Sequence, residues 1–322
     1  MEATKSPHHR ISFRFSTFMN TSPLISGLAV NLVTPFNANG DIDFPALEKL
    51  VRRIRASNIQ SIFINASSSE ASMLDEDEQD RVAEFVSEIN DNHKTLVGGI
   101  PGMSTRSCVQ RISSFVELGF TAIYCDEPLP QASSPSGYIG HFRSIAQSAP
   151  LPILFEHKTG LLGRGAEEAI LSLAEEQNII GMVESTGDVA LNGAIIRRKP
   201  ASFSVLSGRD VMVLPLMALG IDGAISTVAN AFPVECARMM DQMAFGNFHD
   251  ARETHHLLAP ILRILETEGA PTGIKALLNH FQMMEHLVRL PNTPVSDEMR
   301  TDLYRALAEL PHTMVDSALD LA

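Results

Sequence analysis

The stretch Ile179-Ile180-Gly181-Met182-Val183-Glu184-Ser185-Thr186-Gly187-Asp188 holds the fold of this chain in miniature. An apolar run breaks off into a polar, glycine-containing turn, the mark of a buried strand that hands its last side chains to a loop. The same pattern recurs on both sides of it. From Gly27 onward, short apolar runs alternate with longer stretches of helical spacing, as expected of βα units around a parallel sheet. Candidate strands are Leu28–Val33, Ser61–Asn65, Thr95–Gly99, Ala122–Asp126, Pro152–Glu156, Ile179–Val183, Phe203–Leu206 and Gly223–Ser226. Between them lie helical patterns such as Glu76–Ile89, Arg106–Leu118 and Glu167–Glu176. Asp75 with Glu78 makes a capping-box start for the first, and Ser104 is placed to cap the second.

Eight such units in roughly 220 residues predict an α/β fold closed into a (β/α)8 TIM barrel. Val234–Phe245 supplies the eighth helix. Ala251–Thr267, Thr272–Met284 and Asp297–Leu310 read as further helices in a region punctuated by Pro260, Pro271, Pro291 and Pro294. The expected organisation is a tail over 1–26, a barrel over 27–246 and a C-terminal helical extension over 247–322.

Composition narrows the function classes. The 322 residues hold 25 Lys and Arg against 38 Asp and Glu, a formal net charge of −13. That balance argues against nucleic acid, whose phosphates need clustered cations, and against an anionic membrane surface. No apolar run approaches the ~18 residues of a membrane span. Cys108, Cys125 and Cys236 form neither a disulfide framework nor a zinc motif, which fits a reducing compartment and a cytoplasmic protein. Residues 1–18 carry His8, His9, Arg10 and Arg14 with Glu2 as their one acid, a loose match to an organelle transit peptide. A plain tail, or a true start at Met19, is the simpler reading.

Several segments carry a family resemblance. Thr34-Pro35-Phe36 followed by Asn39-Gly40-Asp41-Ile42-Asp43, the turn Asn65-Ala66-Ser67-Ser68-Ser69-Glu70-Ala71, and Ser207-Gly208-Arg209-Asp210 come in order along the chain. Leu219-Gly220-Ile221-Asp222-Gly223-Ala224-Ile225-Ser226 and Gly246-Asn247-Phe248 follow. Together with the stretch 179–188 they resemble the dihydrodipicolinate synthase / N-acetylneuraminate lyase family, from about Gly27 to Leu290. The resemblance implies the barrel, no cofactor or metal, a homodimer or homotetramer, and a small carboxylate ligand at the barrel mouth.

It also implies departures at the chemistry. The family's sixth strand ends in Lys-Glu-Ala-Ser-Gly-Asp, and its lysine forms a Schiff base with pyruvate or another 2-keto acid. Val183 stands at that position and has no amine. Phe155 falls at the proton-relaying tyrosine of the fifth strand, and Leu129 and Pro130 fall at the paired tyrosines after the fourth. A class I aldolase needs an uncharged, buried amine to attack the keto carbon, and none is offered at position 183.

What remains at the mouth is polar. The resemblance implies that Ser67 and Ser68 hold the substrate carboxylate; Asn65, Ile225 and Arg209, whose charge could meet a ligand anion, are further ligand-binding candidates; local turn and cap roles account for the serines equally. Arg209 could instead neutralise Glu184 or Asp210. Glu184, His157 and Glu156 are the acid/base candidates, and Lys158 is the nearby amine. Its plain reading is a solvated loop lysine. Asp126, Glu127, Glu156 and His157 invite a metal reading, but strand alternation sends neighbours to opposite faces, so solvated loop charges are the better account. Lys275 reads as a structural helix residue whose stem covers apolar surface. His141-Phe142, Leu214–Met217 and Met239-Met240 read as packing. The leading expectation is a divergent family member that binds a small keto- or hydroxy-carboxylate, with any lyase or hydro-lyase activity not using position 183. Its rivals are an inactive homologue acting as ligand sensor or oligomer partner, and a Schiff-base lyase with the amine moved to Lys158.

Overall fold

The computed structural model describes residues 23–128, 134–160 and 162–320. Eight parallel strands close a barrel in sequence order: β1 (Gly27–Asn31), β2 (Ser61–Ile64), β3 (Thr95–Ile100), β4 (Ala122–Cys125), β5 (Ile153–His157), β6 (Ile179–Glu184), β7 (Ser204–Ser207) and β8 (Gly223–Ser226). The helices that return the chain are α1 (Phe44–Ala56), α2 (Glu76–Asn90), α3 (Thr105–Val116), α4 (Pro135–Ser148), α5 (Ala166–Ala174), α6 (Val189–Arg198), α7 (Val213–Leu219) and α8 (Pro233–Ala244). Beyond the barrel come α9 (Phe248–Glu268), α10 (Ala270–His280), α11 (Asp297–Ala308) and α12 (His312–Asp320). The (β/α)8 TIM barrel with C-terminal helices is therefore the observed architecture.

Local chemistry sets the element ends. Asp75 accepts from the Glu78 amide while Glu78 reaches back to the Asp75 amide, the capping box expected of α2. Ser104 caps α3 through the Ser107 amide. Barrel closure depends on Gly223: a Cβ there would lie 2.2 Å from the Gly27 carbonyl oxygen on the partner strand. Pro260 sits inside α9, within the helix read over Ala251–Thr267, and α12 adds a helix inside the expected extension over 247–322.

The strands sort their side chains into two layers. Ala29, Phe63, Val97, Ala122, Tyr124, Leu154, Val183, Leu206 and Ile225 pack together in the barrel interior. Their neighbours in sequence, among them Val30, Ile64, Ile123, Phe155, Met182 and Val205, join the larger core beneath the helices. Period-two alternation produces this division and determines which residues reach the mouth. Met239 and Met240 are buried in the outer core, as is Phe142, while His141 pairs with Thr105 at 2.9 Å.

Candidate active site at the barrel mouth

The β5–β6 ladder aligns Leu154 with Gly181, Phe155 with Met182, Glu156 with Val183 and His157 with Glu184. Leu154 and Val183 are interior residues, so alternation points Glu156 and Lys158 inward as well. Glu156 is almost wholly buried. One of its oxygens accepts from the Ser185 hydroxyl at 2.8 Å. The other has no hydrogen-bond partner and lies 3.9 Å from Lys158 Nζ. Burial first, then the neighbouring Asp126 carboxylate, push the Glu156 carboxyl up to about 8 despite Lys158 and Ser185. The buried Tyr124 phenol is raised well above its ordinary value, by burial and then by Glu156 and Asp126. Gly208 gives this corner room, since a Cβ there would lie 2.2 Å from Ser185 Oγ and 2.9 Å from a Val183 methyl.

Such an arrangement can hold a proton and pass it on. A carboxyl that is neutral near pH 7 donates to a departing oxygen. The Lys158 amine stands 3.9 Å from Glu156.

A description of the dihydrodipicolinate synthetase family matches residues 24–310. The chain belongs to that family. Among the family's members, the 4-hydroxy-tetrahydrodipicolinate synthase of Parabacteroides distasonis is 32% identical over 84% of this chain and 92% of its own length. That of Prosthecochloris aestuarii is also 32% identical, over 90% and 98%. Among solved structures, the dihydrodipicolinate synthase of Aquifex aeolicus superposes with a TM-score of 0.84 at 28% identity, covering 90% of this chain and 99% of its own. The Acinetobacter baumannii enzyme, solved in complex with pyruvate, gives 0.85 at 28% identity, covering 88% and 98%.

Phe155 does not stand at an interior position: its ring packs outward against Tyr138, Phe142 and Phe203 under the helices. Glu156 is the residue opposite Val183. Leu129 and Pro130 lie outside the described residues.

The acid/base candidates separate in the same way. Glu184 is buried and turned into its own loop, where it accepts from the Thr186 and Gly187 amides and the Thr186 hydroxyl. His157 is buried on the outer face, 3.8 Å from Glu127. The other Glu127 oxygen accepts the amides of Lys158 and Thr159 at 3.2 and 2.7 Å. These groups shape loops and do not face the interior. Alternation does split the Asp126/Glu127 and Glu156/His157 neighbours, but as solvated loop charges they are misread, because Glu127, Glu156 and His157 are all buried. No cluster of three metal-binding side chains occurs among the described residues. Lys158 is half-exposed and not simply solvated, given its place beside Glu156.

The carboxylate-binding set divides too. Ser68 is buried and pairs with Thr227 at 2.7 Å, Ser67 is exposed, and Ser69 donates to the Leu32 carbonyl. Asn65 is buried in the left-handed region, φ 51°, and donates to the Gln79 carbonyl. Ile225 lines the interior. Arg209 pairs neither with Glu184 nor with Asp210: it donates to the Thr186 carbonyl and binds Glu266 of α9. Asp210 instead accepts the Thr227 and Val228 amides. Lys275 is not spread over a surface but entirely buried against Glu70. Tyr124 and Ser185 were missed by sequence reasoning as interior polar groups. Counting in twos along β4 and β6 from the residues that face Leu154 and Val183 would have found them. No described helix is long and apolar enough to cross a membrane. Two outer grooves, about 510 Å³ between α1 and α8 and about 610 Å³ between α9 and α11, lie away from the mouth.

Proposed function

We propose that this chain is a divergent family member that binds a small 2-keto or hydroxy carboxylate at the barrel mouth and runs its carbonyl chemistry from Lys158. The observation that carries the reading is the Lys158 amine 3.9 Å from a buried Glu156 whose strand partner is Val183. In the reaction, the Lys158 nitrogen adds to the keto carbon, and the carbinolamine loses water when Glu156 protonates its hydroxyl. The iminium so formed is the electron sink for cleaving or dehydrating the neighbouring carbons. Ser67 and Ser68, with the backbone amides of their turn, hold the carboxylate. The reading includes a barrel over 27–246 working as one unit with the segment 247–322, a homodimer or homotetramer, and a cytoplasmic setting.

The test is borohydride trapping with pyruvate and a few longer 2-keto acids, followed by intact mass and peptide mapping. An adduct confined to the Lys158 peptide, and absent from Lys158→Met, is the expected result. No adduct on any lysine, with an active family member trapped in parallel, would remove the imine. A protein that still binds the acids would then be a ligand-binding homologue without this chemistry.

A further inference from the structure

Lys275, on α10, has no exposed surface, and neither has the Glu70 side chain 2.5 Å from its Nζ. The same amine lies 3.0 Å from the Leu287 carbonyl and 4.1 Å from the centre of the Phe36 ring. The second Glu70 oxygen accepts the Arg289 amide at 3.0 Å and the Asn292 side-chain amide at 3.1 Å. The Arg289 guanidinium lies 4.6 Å over Phe36, donates to the Gly40 and Met73 carbonyls and pairs with Glu78. One stretch beyond the barrel thus holds the loop after β1, the loop after β2 and the first turn of α2.

Glu70 is the junction. Its φ is 56°, a left-handed conformation that a residue with a side chain holds only under constraint from its surroundings. It directly follows the turn 67–69, where Ser68 meets Thr227 across the mouth. A buried ion pair is weak evidence of net stability, because desolvation offsets its attraction, and fixing one geometry is its better-attested use.

We propose that Lys275 is a positioning residue: by fixing Glu70, it sets the orientation of Ser67 and Ser68 at the barrel mouth. Only the consequence for ligand binding rests on the function proposed above; the conformational part does not.

Backbone hydrogen exchange on wild type, Lys275→Met and the double variant Glu70→Gln/Lys275→Met tests it. The single variant strands a buried carboxylate and can unfold the chain, whereas the double variant leaves two neutral groups of similar shape. The expected result in the double variant is exchange about ten-fold faster at residues 67–74, with β6 and α5 unchanged. The pyruvate concentration giving half-maximal borohydride trapping should rise about five-fold while the limiting rate stays within about two-fold. Unchanged exchange at 67–74, or equal acceleration along the whole chain, would overturn the proposal and leave the pair as an ordinary packing contact. If wild type traps no pyruvate, the exchange data still decide the role of Lys275, and the ligand-binding reading falls separately.

Discussion

Glu156 and Val183 face each other across the β5–β6 ladder, and both side chains enter the barrel. The valine gives the carboxyl no charge to pair with, and Asp126 adds a like charge on the other side. The neutral form is therefore favoured, with the carboxyl pushed up to about 8 from an ordinary 4.5. Between those values the folded chain holds a proton that the unfolded chain gives up. The stability so contributed is full below the unfolded value and is lost as pH rises through about 8.

Glu156→Gln keeps the shape and cannot ionise. Its unfolding free energy should lie close to wild type near pH 5 and exceed it near pH 9, by roughly 2–4 kcal/mol at about 1.4 kcal/mol per pKa unit. Denaturant titrations at the two pH values measure this. The same pH dependence in both proteins would show that Glu156 is not the group responsible.

Phe155→Tyr, the change suggested by the family alignment, should gain nothing. The ring sits among Tyr138, Phe142 and Phe203 on the helix side of β5, so a new hydroxyl would be buried there. A loss of about 1–3 kcal/mol is expected, the cost of an unsatisfied buried polar group. Trapping at Lys158 should be unaltered. A faster reaction would mean that the β5 side chains point the other way.

Legibility differed sharply between fold and site. The strand at 179–184 was readable because both faces of a parallel barrel strand are covered and the apolar run is therefore unbroken. That same coverage hid the direction of each side chain. Ile153, Leu154, Phe155, Glu156 and His157 are all buried, so no polar face marks the interior, and a register shift between Ile153 and Leu154 adds to the ambiguity. Alignment by residue type then paired Phe155 with a tyrosine, whereas hydrogen-bond register pairs Glu156 with Val183. Lys275 was unreadable for another reason: its partner Glu70 lies 205 residues away, and no local pattern announces a pairing of that separation. Arg209 was legible as an ion-pair residue, but its partner Glu266 lies on α9, outside the stretches compared.

Arg209→Ala should accordingly leave the mouth working. The guanidinium is turned away onto Thr186 and Glu266, and about a third of its side chain remains exposed, 33%. Half-saturation by pyruvate in the trapping assay should change less than about two-fold, and stability should fall by about 0.2–1 kcal/mol, as for exposed pairs. A ten-fold loss of affinity would return Arg209 to the ligand-binding set.

Glu127 gives the sharpest contrast with Arg209, because it never faces the interior and yet holds the loop that carries the proposed amine. Its carboxylate accepts the Lys158 and Thr159 amides and lies beside His157. Burial raises this carboxyl, but the neighbouring His157 and the hydrogen bond from Thr159 outweigh burial and hold it below the usual carboxylate range. A depressed acid stabilises the fold above its unfolded value, and that contribution is lost as pH falls through the folded value. Glu127→Ala should therefore cost on the order of 1 kcal/mol at pH 7, with two part-buried amides losing their acceptor, and less in acid once wild type also protonates. Borohydride trapping at Lys158 should slow about ten-fold, since a displaced amine loses its alignment. Glu127→Gln, which keeps one acceptor oxygen, should recover part of both losses. Undiminished trapping in Glu127→Ala, with the stability loss present, would show that the Lys158 loop keeps its place without the Glu127 carboxylate.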